Sequence, residues 1–145
     1  MDGKLVFWSR WLQVCSAIVF LFGAAFMVLA GPMQVLFETL YFAPVTGATL
    51  DGDAAAYSAF MQGVMGAVMV GWSVLLFYVA RGPFRREEPE AWQMLAVSLG
   101  VWFVTDTLFS LWSGYWQNAI LNTSLLILFG IPLAATYRRF HTPDA

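Results

Sequence analysis

Long apolar runs alternate with short polar segments along this chain, and the runs have the length of membrane-spanning helices. A helix needs about 20 predominantly apolar residues to cross the ~30 Å hydrocarbon core of a bilayer. Four segments qualify, over about 6–30, 54–80, 89–112 and 116–137. The first is long for the apolar part of a secretory signal, so we expect it to be retained. We therefore predict an all-α integral membrane protein, with one domain over 1–145 that forms a four-transmembrane-helix bundle.

The connections between the runs predict different structures. The first, over 31–53, is too long for a tight turn, and Met33, Phe37 and Tyr41 recur in it at helical spacing. This spacing predicts a short interfacial helix in an outer loop, and a simple packed loop is the alternative. The charged segment 81–88 predicts a solvated cytoplasmic loop. The last connection is short, so the last two helices should be antiparallel neighbours.

The basic residues predict the orientation, because they concentrate in cytoplasmic segments. The opposite side of the bundle carries Glu38, Asp51 and Asp53 without any basic residue. An N-in, C-in arrangement then places all seven basic residues on the cytoplasmic side: Lys4, Arg10, Arg81, Arg85, Arg86, Arg138 and Arg139. We expect a multi-pass protein, and from its compactness alone we place it in a bacterial inner (plasma) membrane.

Composition excludes several classes of function. Only 11% of the residues are charged and 60% are hydrophobic, whereas soluble domains carry about 25% charged residues. The net charge is −2 and the basic residues form no cluster for nucleic acid. The single cysteine, Cys15, excludes a cysteine-based zinc site, and the single histidine, His141, lies near the end of the chain. We expect no metal site and no cofactor.

Two local features predict how the helices pack. Small residues let helices approach closely where lipid supplies no hydrophobic drive between them. Gly23 in the first run makes that run the natural partner for a small-residue stripe in the second, and we favour this contact over a homodimer. Pro132 in the fourth run lacks an amide donor, which frees the carbonyl of Leu128 and should kink the helix. The stripe consists of Ala55, Ala59, Gly63, Ala67 and Gly71.

Strong polar residues fall at one depth in three of the four runs. Asp106 in the third run has no basic residue nearby and lies about 10 Å below the outer end, by the ~1.5 Å rise per residue. Gln62 and Asn122 lie at similar depths in the second and fourth runs, and Asn118 lies one turn further out. A central Asp facing lipid costs roughly 2.5 to 3.5 kcal/mol. These side chains are therefore predicted to turn inward and meet.

The inward-facing groups predict a site in the outer half of the bundle. We expect Asp106 to be protonated or to share hydrogen bonds with Asn122, Asn118 or Gln62. Glu38, on the interfacial helix, could close the site from above. The simpler interpretation is that these groups only hold the helices together. The predicted ligand-binding residues are Asp106, Asn122, Asn118, Gln62, Trp102 and Ser110.

Three functions fit these patterns. The first is binding of a lipid-like or isoprenoid ligand in an outer-leaflet pocket lined by polar groups. The second is an accessory or scaffold subunit that packs against a membrane partner protein or forms a homo-oligomer. The third is a membrane enzyme with Asp106 as acid or base on a lipid-soluble substrate and Glu38 as its counterpart. Ion translocation is a weaker fourth function, because a single acid provides few sites for an ion or proton pathway.

Overall fold

The computed structural model describes residues 3–141, and every regular element within that range is helical. Four helices are long and apolar enough to cross a membrane, which confirms the four predicted segments. A π-helical turn, Glu38–Phe42, joins the two short helices, and a 3₁₀ turn, Pro83–Arg86, follows the second long helix. The helices are α1 (Gly3–Val28), α2 (Ala30–Phe37), α3 (Ala43–Thr46), α4 (Gly52–Arg81), α5 (Pro89–Trp112) and α6 (Trp116–His141).

The long helices form a ring of four, in which each helix is antiparallel to its neighbours. α1 packs along its length against α4, and α5 packs against α6. α1 also meets α6, whereas the α4–α5 side is the most open of the four. The hydroxyl of Ser9 on α1 donates to the carbonyl of Ala80 on α4, 2.7 Å away. This arrangement brings the start of α1 and the ends of α4 and α6 together, so all seven basic residues lie at one end of the ring, here called the basic end.

Two glycines form the close contact between α1 and α4. A Cβ added to Gly23 would lie 2.7 Å from the carbonyl oxygen of Gly66 and 2.9 Å from Cβ of Met69. The partner of α4 is therefore the predicted one, but the predicted small-residue stripe faces α1 only in part: Gly63 lies near Phe26 of α1, whereas Ala67 and Gly71 are exposed. Residues four apart are offset by about 40° around a helix of 3.6 residues per turn, so a long stripe winds away from a fixed neighbour.

The charged connection 81–88 closes the basic end and is only partly solvated, whereas the sequence predicted a solvated loop. Phe84 is completely buried, and its ring lies 4.9 Å from that of Phe140 on α6. Glu87 adopts a left-handed backbone conformation with φ of 62°. Its carboxylate pairs with Arg139 on α6 at 2.7 Å. The connection thus ties α4 and α5 to the end of α6.

Pro132 leaves a main-chain acceptor that another helix satisfies. Proline has no amide hydrogen, so the carbonyl of Leu128 loses its donor within α6, as the sequence predicts. The indole Nε1 of Trp11 on α1 donates to this oxygen at 2.9 Å. The thiol of Cys15, 4.0 Å away, is a weaker second donor. Proline and tryptophan together make a specific contact between the first and the last long helix.

Replacing Trp11 by phenylalanine should destabilise the fold by about 1 kcal/mol, because the carbonyl of Leu128 loses its main donor. In the Trp11→Phe background, Pro132→Ala should recover most of this loss, since it restores an amide donor within α6. Chemical unfolding of the single and double variants in mild detergent measures the coupling. Additive effects of the two substitutions would contradict the proposed partnership.

Candidate functional site

Asp106, Ser110 and Asn118 form a hydrogen-bonded triangle between α5 and α6. The amide Nδ2 of Asn118 donates to Oδ1 of Asp106 at 3.0 Å and to Oγ of Ser110 at 2.8 Å. The hydroxyl of Ser110 donates to the main-chain oxygen of Asp106 at 2.7 Å and lies 3.2 Å from Oδ1. Ser110 is buried and Asp106 is half-buried. The short turn between the two helices places these residues opposite one another.

The triangle uses only one of the two carboxylate oxygens of Asp106. Oδ1 accepts from Asn118 and Ser110. Oδ2 receives no hydrogen bond from any residue in the range 3–141. Oδ2 of Asp106 can therefore accept a hydrogen bond from another molecule.

Asn122 belongs to a separate contact one turn further along α6. It is buried, with 2% of its surface exposed, and its Nδ2 lies 3.3 Å from Oγ1 of Thr107. Of the three amide partners predicted for Asp106, the structure provides only Asn118. Thr107 was missed, because a threonine inside an apolar run bonds most often to its own helix and carries no distinctive pattern.

Gln62 on α4 holds a buried acceptor that has no donor. Its Nε2 lies 3.5 Å from Oγ of Ser58, and its Oε1 is buried without a hydrogen-bond partner among the described residues. At about 100° per residue, Gln62 projects between the directions of Gly66, which meets α1, and Trp72, which meets α5. It therefore points toward the inside of the ring.

The registers of the helices place Gln62 close in level to the triangle. The indole Nε1 of Trp72 on α4 donates to Oγ of Ser98 on α5 at 2.9 Å, which fixes the antiparallel register of this pair. Gln62 lies ten residues, or about 15 Å, along α4 from Trp72. The same distance along α5 from Ser98, in the same direction, reaches about position 108. Gln62 is thus within about one helical turn of Asp106 in height.

Trp102 packs against Trp72 at the open side of the ring. The two ring centroids lie 5.7 Å apart at an interplanar angle of 42°. Both side chains are half-buried. Together with Ser98 they join α4 to α5 one turn below Asp106, so the aromatic pair forms a floor beneath the polar level.

Glu38 organises the connection between α1 and α4. Its Oε2 accepts from Nε2 of Gln34 at 2.7 Å, and its Oε1 accepts from the main-chain amide of Leu50 at 3.0 Å. Both carboxylate oxygens are therefore occupied within the connection, and neither hydrogen bond reaches Asp106. Its geometry is that of a residue that positions the loop, and it gives no support to Glu38 as a catalytic counterpart of Asp106.

The predicted helix in the first connection is present, as α2 and the π-helical turn. The ring of Phe37 lies 4.9 Å from that of Phe26 on α1 and stacks on that of Tyr41 at 4.9 Å. Burial raises the pKa of the Tyr41 phenol above its ordinary value of 10.0, so its hydroxyl is neutral at physiological pH. Packing on α1 holds this segment over the end of the bundle opposite the basic end.

A second unsatisfied acceptor lies on α6. Oε1 of Gln117 is buried and has no hydrogen-bond partner among residues 3–141. Gln117 precedes Asn118 by one residue, so it projects about 100° away from it around the helix. Sequence reasoning missed it because its position at the start of the helix is typical of a residue exposed at a membrane boundary.

Among the described residues, two apolar grooves stand out on the surface of the ring, and neither is lined by the predicted site residues. The larger, of about 460 Å³, lies between α1 and α6, and the other, of about 370 Å³, lies between α1 and α4. Residues 3–141 contain no group of three or more histidine, cysteine or acidic residues placed to hold a metal ion. Comparison of the chain with protein-family models, curated proteins and solved structures finds no match.

Proposed function

We propose that this is a membrane protein that binds a lipid-like or isoprenoid amphiphile at the level of Asp106. The polar end of the ligand carries hydroxyl or amine donors, and its apolar part lies among the helices. The orientation is N-in and C-in, which puts the basic end in the cytoplasm and Asp106 in the outer leaflet. The segment α2–α3 then lies in the outer interface.

Acceptor atoms without donors support this function. Among residues 3–141, Oε1 of Gln62 is buried and has no hydrogen-bond partner, and Oδ2 of Asp106 receives no hydrogen bond. A buried acceptor without a donor costs about 1–3 kcal/mol. A ligand that donates to these atoms recovers that free energy, and an aprotic hydrocarbon does not. The acceptors of Gln62 and Asp106 therefore favour a ligand whose polar group donates hydrogen bonds.

The open α4–α5 side supplies a route for the ligand. Trp72 and Trp102 join these helices below Asp106. Above this pair, Gln62 on α4 points toward the inside of the ring, and Asp106 on α5 faces α6 through its contact with Asn118. A ligand that enters laterally from the outer leaflet reaches the free oxygens with its polar end, and the tryptophan pair limits its depth.

The decisive experiment is mass spectrometry of small molecules retained after purification in mild detergent. The wild type should hold a discrete amphiphile that Asp106→Asn retains about tenfold less, because a buried polar group left without its hydrogen-bond partner costs about 1–3 kcal/mol. Asn118 and Ser110 keep the remaining asparagine oxygen at the position of Oδ1. The new amide therefore presents donors where the ligand also presents donors.

Asp53→Asn is the matched control, since Asp53 is an exposed acid in the first turn of α4. It should retain the amphiphile as the wild type does. The thermal midpoint of Asp106→Asn should stay close to that of the wild type, because both hydrogen bonds at Oδ1 persist. Equal retention of bulk lipid by all three proteins would contradict ligand binding at Asp106.

A second candidate function, an accessory subunit or homo-oligomer, is favoured by one observation. Ala67 and Gly71 on α4 are exposed, and a Cβ added to Gly71 would meet no atom within 4 Å. Small residues on an outward face admit the close approach of another helix. A result in which every variant holds only bulk lipid would favour this candidate over the first.

A further inference from the structure

The larger surface groove has the length of one bilayer leaflet. It runs along α1 from Phe7 to Ile18, with Leu128 of α6 on its other side. Eleven residues of helix rise about 16 Å, which is about half of the ~30 Å hydrocarbon core. Its volume of about 460 Å³ lies within the range of ligand sites.

The wall of the groove is hydrocarbon. Phe7, Val14 and Ile18 project into it as exposed apolar side chains. Its main polar groups already bond to each other, since the indole of Trp11 donates to the carbonyl of Leu128. Such a surface offers water no partner and remains dry. An acyl chain is the occupant that matches its length and polarity.

A positive charge stands at the end of the groove nearest the basic end. Arg10 lines the groove, and its guanidinium makes no hydrogen bond or ion pair with residues 3–141. Long basic side chains extend along apolar surface to bring the charge to the headgroup level. The acids near this end do not neutralise Arg10, because Glu87 pairs with Arg139 and Glu88 pairs with Arg86.

We propose that the groove between α1 and α6 binds one acyl chain of an anionic phospholipid, whose phosphate pairs with Arg10. This site lies in the leaflet on the side of the basic end and is separate from Asp106. Seven basic residues face only three acids, Glu87, Glu88 and Glu90, in the described part of this end. The field therefore favours an anionic headgroup over a zwitterionic one.

Native mass spectrometry with phosphatidylglycerol and phosphatidylcholine of identical chains tests the site. Arg10→Gln should weaken binding of phosphatidylglycerol about fivefold, as expected for one basic residue at the headgroup level. It should weaken phosphatidylcholine less, because the choline cation of that headgroup partly neutralises the phosphate that pairs with Arg10. Val14→Trp, which fills the groove, should weaken both lipids. Inorganic phosphate should not compete, because it has no chain to bury.

Arg81→Gln is the matched control, because Arg81 is an exposed arginine at the same end that does not line the groove. It should bind phosphatidylglycerol as the wild type does. Equal losses in Arg10→Gln and Arg81→Gln would overturn the proposal in favour of general charge attraction. Unchanged binding in Arg10→Gln, or in Val14→Trp, would also overturn it. Asp106→Asn should not alter either lipid, so this test is independent of the proposed outer site.

Discussion

Replacing Phe84 by alanine is expected to lower the free energy of unfolding by about 3–5 kcal/mol, the range for phenylalanine truncated in a packed core. Phe84 has no exposed surface and its ring packs against Phe140. It belongs to the connection beyond the long helices, where its alternative environment is water and the hydrophobic effect acts in full. The loss should release the connection from α6.

Equilibrium unfolding in mixed detergent micelles, followed by circular dichroism, measures this effect. Phe109→Ala is the control, because Phe109 is 74% exposed on α5 and its truncation leaves no cavity. Phe84→Leu should lie between the wild type and Phe84→Ala, since leucine fills part of the space. Equal stabilities of Phe84→Ala and Phe109→Ala would show that the connection does not stabilise the bundle.

The second large effect is expected at the crossing of α1 and α4. Gly66→Ala should lower the free energy of unfolding by about 1–3 kcal/mol, as overpacking typically does. The added Cβ would lie 2.8 Å from Cβ of Phe26 and still closer to the carbonyl oxygen of Gly23. A main-chain carbonyl on a rigid helix cannot turn aside, so the two helices must separate.

Gly71→Ala on the same helix provides the comparison. Its Cβ would meet nothing within 4 Å. Alanine also loses less conformational entropy than glycine in a helix, by roughly 0.5–1 kcal/mol, so this variant should be neutral or slightly stabilised. Opposite signs for Gly66→Ala and Gly71→Ala in the same unfolding assay would locate the crossing. Equal signs would contradict it.

The helices and the pairing of Asp106 with Asn118 follow from local rules. Apolar length defines the four long helices, and Pro89 marks the first residue of α5. The short turn between α5 and α6 then sets an antiparallel register that brings residues 106 and 118 to nearby levels. A proline inside a helix leaves the carbonyl four residues earlier without its donor. The unpaired carbonyl of Leu128 could therefore be predicted from the sequence as well.

Tertiary choices could not be predicted in this way. A stripe of small residues every fourth position winds around α4, so the sequence does not indicate that Gly66 makes the contact. Phe84 lies among charged residues, a context typical of solvated loops. The donor for Leu128 is Trp11, 117 residues earlier in the chain. Each of these features depends on which helices become neighbours, and no local pattern encodes that.

The contact between Trp11 and Leu128 has a consequence for the order of assembly. Synthesis makes α1 first and α6 last among these helices, and proline leaves α6 with an acceptor that its own chain segment cannot satisfy. In an apolar surrounding without water, such an acceptor is disfavoured until a donor reaches it. The donor is already present on α1 when α6 emerges. We therefore expect α6 to pack against α1 as soon as it is made. This contact closes the ring and at the same time gives the carbonyl of Leu128 its donor.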